Sequence, residues 1–140
     1  MTKTDHIKEA ADLIKIHEGF SGVPYRCPAG KITIGYGRNL EANPLTKDEA
    51  TVLMMNDIRT IDKSLTDKYP YFLQLTSSRR VVLISMAFQM GLHGLAAFRK
   101  MHKHLEVGNY DMAAVEMLDS HWAKQTPNRA KELSEKMRMG

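Results

Sequence analysis

Strand-like alternation is confined to one short stretch of this chain, Lys31-Ile32-Thr33-Ile34-Gly35-Tyr36-Gly37, while three- and four-residue apolar spacing governs nearly everything else. Ile32, Ile34 and Tyr36 fall on one face of that stretch and Thr33, Gly35 and Gly37 on the other. The preceding Gly22-Val23-Pro24-Tyr25-Arg26-Cys27-Pro28-Ala29-Gly30 carries the prolines and glycines of turns and short edge strands. A small β-hairpin region near the N-terminus of an otherwise helical chain is the result, so the fold class is α+β and mostly α.

Helix signals flank this region. Ile7, Ala10, Ala11, Leu13 and Ile14 form one face of a helix from Asp5 to His17, with Thr4 placed to cap it and Gly19 to end it. After Asn43-Pro44, Thr46 and Glu49 make a capping-box signature. The helix it opens runs to about Leu65, with Leu53, Met54, Ile58, Ile61 and Leu65 as its apolar face. About 20 helical residues span about 30 Å, enough to bridge a small β region and a helical remainder. Past the Tyr69-Pro70-Tyr71-Phe72 break, helices are expected over 78–90, 95–107, 110–124 and from Pro127 onward, with a turn at Gly91 to Gly94. The run from Val81 to Phe88 is apolar nearly all round, as in a helix at the centre of a bundle. Trp122 and most of the methionines read as core. One domain over 1–140 follows, with a β lobe at 18–45, a connecting helix at 46–65, and a helical lobe made of 66–140 with 1–17.

Charge and cysteine usage narrow the partners. The 140 residues carry 20 Lys+Arg against 16 Asp+Glu, a net +4 that favours an anionic partner without choosing among nucleic acid, acidic lipid and acidic polysaccharide. A single cysteine, Cys27, excludes an internal disulfide framework. The polar start Met1-Thr2-Lys3-Thr4-Asp5 lacks a secretory stretch, and no apolar run approaches the roughly 18 residues of a membrane span, so synthesis in a cytoplasm is expected. The six histidines form no HExxH and join no cysteine cluster, so neither a metal nor another cofactor is expected. The basic, amphipathic tail from Lys131 to Arg138 reads as a solvated helix.

Glu18 ends the opening helix just before the hairpin region. A helix C-terminus carries about half a negative charge, and that field, like any burial in a cleft, disfavours the ionised carboxylate. A general acid needs this, although a glutamate in such a position is most often simply solvated. Cys27 lies nine positions on and Thr33 six further, an E-x8-C-x5-T spacing that joins the helix end to the hairpin. A glycosidase needs a proton donor for the leaving oxygen and, opposite it, a group that positions water or stabilises positive charge at the anomeric carbon.

The segment from Glu18-Gly19 through Thr33-Ile34-Gly35-Tyr36-Gly37 resembles the active-site segment of the phage T4-type lysozymes, the endolysin muramidases of glycoside hydrolase family 24. Leu45-Thr46-Lys47-Asp48-Glu49-Ala50, Phe88-Gln89-Met90-Gly91 and Gln125-Thr126-Pro127-Asn128-Arg129-Ala130 resemble later blocks of the same family, in the same order. The resemblance implies a two-lobe lysozyme-like fold. It further implies Glu18 as general acid, Cys27 in the second catalytic position, where many members carry Asp, and Thr33 in the third, orienting the attacking water. Gln89, Tyr36 and Gly37 are implied as substrate-binding residues and Arg129 as the ion-pair partner of Glu18. Arg38 and His17 depart from the best-known member's histidine and acid, so its local ion pairs are not carried over. The implied reaction is inverting hydrolysis of the β-1,4 bond between N-acetylmuramic acid and N-acetylglucosamine in peptidoglycan, for host lysis and phage release. A monomer is implied, with no stable membrane insertion and no nucleic-acid partner, held in the host cytoplasm until a holin-type pore admits it to the periplasm and cell wall.

Two other readings stay open on the residues themselves. A cysteine peptidase or amidase would pair Cys27 with a histidine such as His17, because a nucleophilic thiol needs an activating base within hydrogen-bond reach. A basic helical module could bind nucleic acid or cell wall without catalysis.

Overall fold

Gly19, at a φ of +67°, stops the first helix, α1 (Lys3–Glu18), and its amide donates to Lys15 O at 3.0 Å. The computed structural model describes residues 3–140, with side chains from Asp5 onward, so the cap expected of Thr4 lies outside the described side chains. Beyond Gly19 come three antiparallel strands in the order β1 (Ser21–Arg26), β2 (Ile32–Gly35) and β3 (Arg38–Asn39). Tyr25 pairs with Thr33 and Arg26 with Ile32, but the register slips between Ser21 and Tyr25. Pro24 sits in that gap on an edge strand, where a missing N–H is tolerated. The third strand was not anticipated. Gly35 and Gly37, at φ of +69° and +77°, turn the chain so that Arg38 and Asn39 pair back onto Ile34 and Thr33.

The two faces of β2 differ in exposure, and the threonine face is the inner one. Thr33 is buried, whereas Ile32 and Tyr36 are exposed, because the threonine side faces the turn at Cys27 and its hydroxyl donates to Lys31 O at 2.9 Å. The helical elements are α2 (Lys47–Lys68), a 3-10 helix (Pro70–Gln74), α3 (Ser77–Ala96), α4 (Arg99–Glu106), α5 (Tyr110–Leu118), α6 (His121–Gln125) and α7 (Pro127–Met139). The α+β, mostly α class is therefore the observed one. Two expected helices are broken in two. The 95–107 segment is interrupted around Ala97 and Phe98, and the 110–124 segment at Asp119 and Ser120, where the Ser120 hydroxyl accepts from Ala123 N and caps α6. Gly91, at φ +81° and ψ 163°, kinks α3 in place of a longer turn.

The described residues up to Thr51 form one compact unit and Val52–Gly140 a second. The second carries a hydrophobic core. Leu65, Phe72, Val82, Leu83, Met86, Leu95, Met101, Leu105, Met117 and Met137 are fully buried in it, each side chain contributing roughly 1.5–3 kcal/mol of burial. Val82, Leu83, Met86 and Ala87 face inward while Val81 and Phe88 are exposed, so the apolar run of α3 is buried on one side only. Trp122 is buried, as expected of a core residue, but of the nine methionines among the described side chains only Met86, Met101, Met117 and Met137 are buried, so most are not core, contrary to expectation; Met54, Met112 and Met139 are exposed. Arg79 ties three helices together: Nε donates to Met137 O at 2.7 Å, Nη2 to Arg138 O at 3.0 Å, and the guanidinium lies 3.6 Å from the Tyr110 ring centroid. No single helix among the described residues is long and apolar enough to cross a membrane.

The first unit has no comparable core. Thr33 is the one buried residue among its described members, and the apolar residues Ile7, Leu13 and Ile14 of α1 are exposed. Polar contacts join its parts. Glu49 and Thr46 form the expected capping box, with Thr46 N donating to Glu49 Oε1 at 2.9 Å and Glu49 N to Thr46 Oγ1 at 3.1 Å. Arg38 of β3 makes a two-point ion pair with the same carboxylate and donates to Asn43 O at 3.0 Å and Pro44 O at 2.8 Å. The guanidinium, then the Thr46 amide, hold the Glu49 carboxyl down at about 2, against an ordinary 4.5. A carboxyl whose folded value is depressed stabilises the fold above the unfolded value and loses that contribution as pH falls. Thermal unfolding followed in the first unit should therefore show stability dropping as pH is lowered from about 4.5 towards about 2, and Glu49→Gln should flatten that window. An unchanged pH profile in the variant would show that the pair contributes nothing.

Candidate active site

The Gly19 stop leaves Glu18 as the last residue of α1, at the point where the chain enters the sheet. Its carboxyl lies against Gly37. A Cβ built on Gly37 would meet Glu18 Oε2 at 2.5 Å and Cδ at 2.7 Å, and the φ of +77° separately favours glycine there. Glu18 is exposed, so the burial expected of it is not found. Tyr36, beside Gly37, packs its ring against Phe20 at 5.4 Å between centroids, and Lys15 Nζ stands 5.5 Å from the Tyr36 centroid. The Glu18 carboxyl thus rests on a flat glycine surface whose sequence neighbour, Tyr36, packs against Phe20.

Cys27 begins the turn between β1 and β2. Its amide donates to Lys31 O at 2.9 Å, and its carbonyl accepts from Gly30 N at 2.7 Å. The thiol is half-buried. Its pKa is lowered from the ordinary thiol value by the Lys31 backbone, with further help from Ala29 and the Thr33 hydroxyl. No imidazole contributes to this. Thr33 and Cys27 are therefore neighbours, as their spacing across the hairpin suggested.

The remaining expected site residues belong to the second unit. Gln89 is exposed on α3, and its Oε1 accepts from Trp122 Nε1 at 2.8 Å. Arg129 in the first turn of α7 donates through Nη2 to Ser85 Oγ at 3.2 Å and Ser85 O at 3.3 Å. It borders a largely apolar cavity of about 250 Å³ lined also by Met54, Ile58, Val81, Ile84 and Phe88. Trp122 was expected only as core, and its grip on Gln89 was missed because the two lie 33 positions apart. The bonding of Arg38 with Glu49 was likewise left open, although the capping box already marked Glu49. Among the described residues no three of His, Cys, Asp and Glu converge as metal ligands.

Comparison with known proteins identifies the family. The phage lysozyme family profile matches residues 15–138. The pre-baseplate central spike protein Gp5 of Enterobacteria phage T4 is 34% identical over 103 residues, which make up 70% of this chain and 18% of the spike protein. The chain thus spans less than a fifth of that relative. A probable T4-type lysozyme of Dictyostelium discoideum is 27% identical, with 89% of this chain and 90% of the relative aligned. An endolysin of Acyrthosiphon pisum secondary endosymbiont phage 1 is 29% identical, with 88% of this chain and 84% of the relative aligned.

The Gly37 contact is open to test by substitution. Gly37→Ala places a methyl group where Glu18 Oε2 now lies and imposes left-handed backbone on alanine, at a cost of about 1–2 kcal/mol. A lowered melting temperature together with a moved side-chain carboxyl ¹³C resonance of Glu18 is expected. A variant with both unchanged would show that the carboxyl does not rest on Gly37.

Proposed function

This chain belongs to the phage lysozyme family and is a glycoside hydrolase of the lysozyme type, and we propose that it cleaves the β-1,4 bond between N-acetylmuramic acid and N-acetylglucosamine in bacterial peptidoglycan. The observation that carries the proposal is the Glu18 carboxyl held on the glycine surface of Gly37, in the unit that also brings Cys27 and Thr33 together. Glu18 is the general acid that delivers a proton to the leaving glycosidic oxygen. Exposed in the free protein, it meets a drier environment when a glycan covers it, which favours the protonated form.

Thr33 and Cys27 handle the other side of the reaction. With its one proton given to Lys31 O or to the Cys27 sulfur, the Thr33 hydroxyl keeps oxygen lone pairs that accept from a water and orient it for attack. Cys27 supports this water, and its hydrogen-bonded sulfur carries part of the negative charge that an aspartate would present to an oxocarbenium-like transition state. Attack by a water oriented in this way inverts the anomeric carbon. Tyr36 and Gly37 offer a stacking and close-approach surface for a sugar ring. Gln89, fixed by Trp122, is assigned to glycan binding. The environment of Cys27 favours this reading over a cysteine peptidase, because backbone amides and a hydroxyl, not an imidazole, activate the sulfur. The biological role assigned here is host lysis and phage release by a monomer that crosses from the cytoplasm to the wall through a holin-type pore.

Two measurements test this. In turbidity assays on purified murein, Glu18→Gln should lower turnover by a factor of about 10²–10⁴, the usual worth of a general acid. Cys27→Ala should lose less, and Cys27→Asp should retain activity. Equal loss at Glu18 and Cys27 would give the thiol the central role, and new amino groups in place of reducing ends would identify an amidase. Separately, NMR of the first-formed anomer should show the α product, and the β product would contradict a water-attack route.

A further inference from the structure

His102 is a buried histidine with both ring nitrogens in use, inside the helical unit and outside every role assigned so far. We propose that it is an acid-operated latch that holds α4 in place and, through Phe98 and Trp122, sets the placement of Gln89. The second half of this statement rests on the reading of Gln89 as a glycan-binding residue.

The geometry is a relay across three elements. Tyr71, from the 3-10 helix, lies with its hydroxyl 2.6 Å from His102 Nδ1, and His102 Nε2 lies 2.9 Å from Leu95 O near the end of α3. A carbonyl only accepts, so Nε2 carries the proton, Nδ1 accepts from the tyrosine, and the bonding assigns a neutral imidazole. Tyr69 stacks on the ring at 4.4 Å between centroids. The charged groups facing the site are Lys68 at the end of α2 and Glu106 on α4. Burial pushes the imidazole pKa below its usual 6.5 and Lys68 adds to this, while the Leu95 carbonyl and Glu106 oppose it.

Protonation at Nδ1 would turn the tyrosine hydroxyl from donor to acceptor, displacing its own proton from the imidazole, and would bury a cation against Tyr69 and Tyr71. The folded value is depressed, so the relay stabilises the fold above the unfolded value near 6.5, and that contribution drains away as pH falls below it. The strain reaches α4 directly. Residues Phe98 to Met101 form one wall of a cavity of about 430 Å³ whose other wall includes Glu116, Ser120 and Trp122. Phe98 meets Trp122 edge to face at 6.0 Å, and Trp122 Nε1 donates to Gln89. Releasing α4 therefore loosens the indole that fixes Gln89.

Trp122 is the single tryptophan, so its emission reports this contact alone. We expect reversible acid titration to show His102 ring-proton shifts with a midpoint below the ordinary imidazole value of 6.5, and a change in Trp122 emission at the same midpoint. Tyr71→Phe removes the donor that keeps Nδ1 unprotonated and should raise both midpoints together, by on the order of half to one pH unit. His102→Gln should leave the emission flat over this range. An emission change in His102→Gln at the wild-type midpoint would overturn the latch, as would His102 titrating with Trp122 silent. Should His102→Gln fail to fold, an unmoved midpoint in Tyr71→Phe overturns it equally. Murein pull-down by the Glu18→Gln protein across the same pH range separates the two halves. Binding that weakens with the emission change supports both, and binding that ignores it removes the link to Gln89 while the latch stands.

Discussion

The Glu18 carboxyl sits in a unit whose described residues form no hydrophobic core, so its setting depends on a guanidinium. Arg38 gathers Glu49, Asn43 and Pro44 around one planar group and fastens the third strand to the loop and first turn that open α2. Gly37 directly precedes it in sequence. The turn that presents a glycine surface to Glu18 is thus anchored on its downstream side by charge-assisted hydrogen bonds, and the Glu49 carboxylate serves the helix cap and the ion pair together. Such contacts fix direction as well as distance. That suits a site that must hold a carboxyl within a fraction of an ångström, because misplacing a reacting group by about 1 Å is enough to lose about two orders of magnitude in rate.

The helical unit solves a different problem. Its ten fully buried large side chains make a stable body, and its polar residues are placed at the margins of that body. Gln89 is exposed yet held by an indole, so its amide has a fixed orientation. His102 and Tyr71 are the exception, a polar relay inside the core that is fully bonded only while the imidazole is neutral. A buried network of this kind adds directionality at the expense of acid tolerance.

Much of this was legible in the amino-acid order. The helix stop at Gly19, the capping box of Thr46 and Glu49, and the confinement of strands to one end follow from local chemistry, and local chemistry decided them in the structure. The Cys27 and Thr33 pair was visible as spacing across a hairpin. What escaped was non-local or concerned exposure. Alternation separated Thr33 from Ile32 and Tyr36 but could not say which face is inward, and in the structure Thr33 is buried while Ile32 is exposed. The breaks at Phe98 and Ser120 were hidden by continuous helical periodicity on both sides. The Trp122 to Gln89 and Tyr71 to His102 contacts join residues 33 and 31 positions apart, which no window of a few turns can see.

The central claim is that Glu18 gives its proton to the departing sugar oxygen, and the most direct measurement is the leaving-group dependence of hydrolysis by Glu18→Gln. Aryl glycosides of the murein disaccharide, running from a poor phenol leaving group to dinitrophenol, remove the need for a proton step by step. The account predicts that the variant is far slower than wild type on the poor leaving groups and approaches it on dinitrophenol. A deficit of the same size across the whole series would contradict proton donation by Glu18.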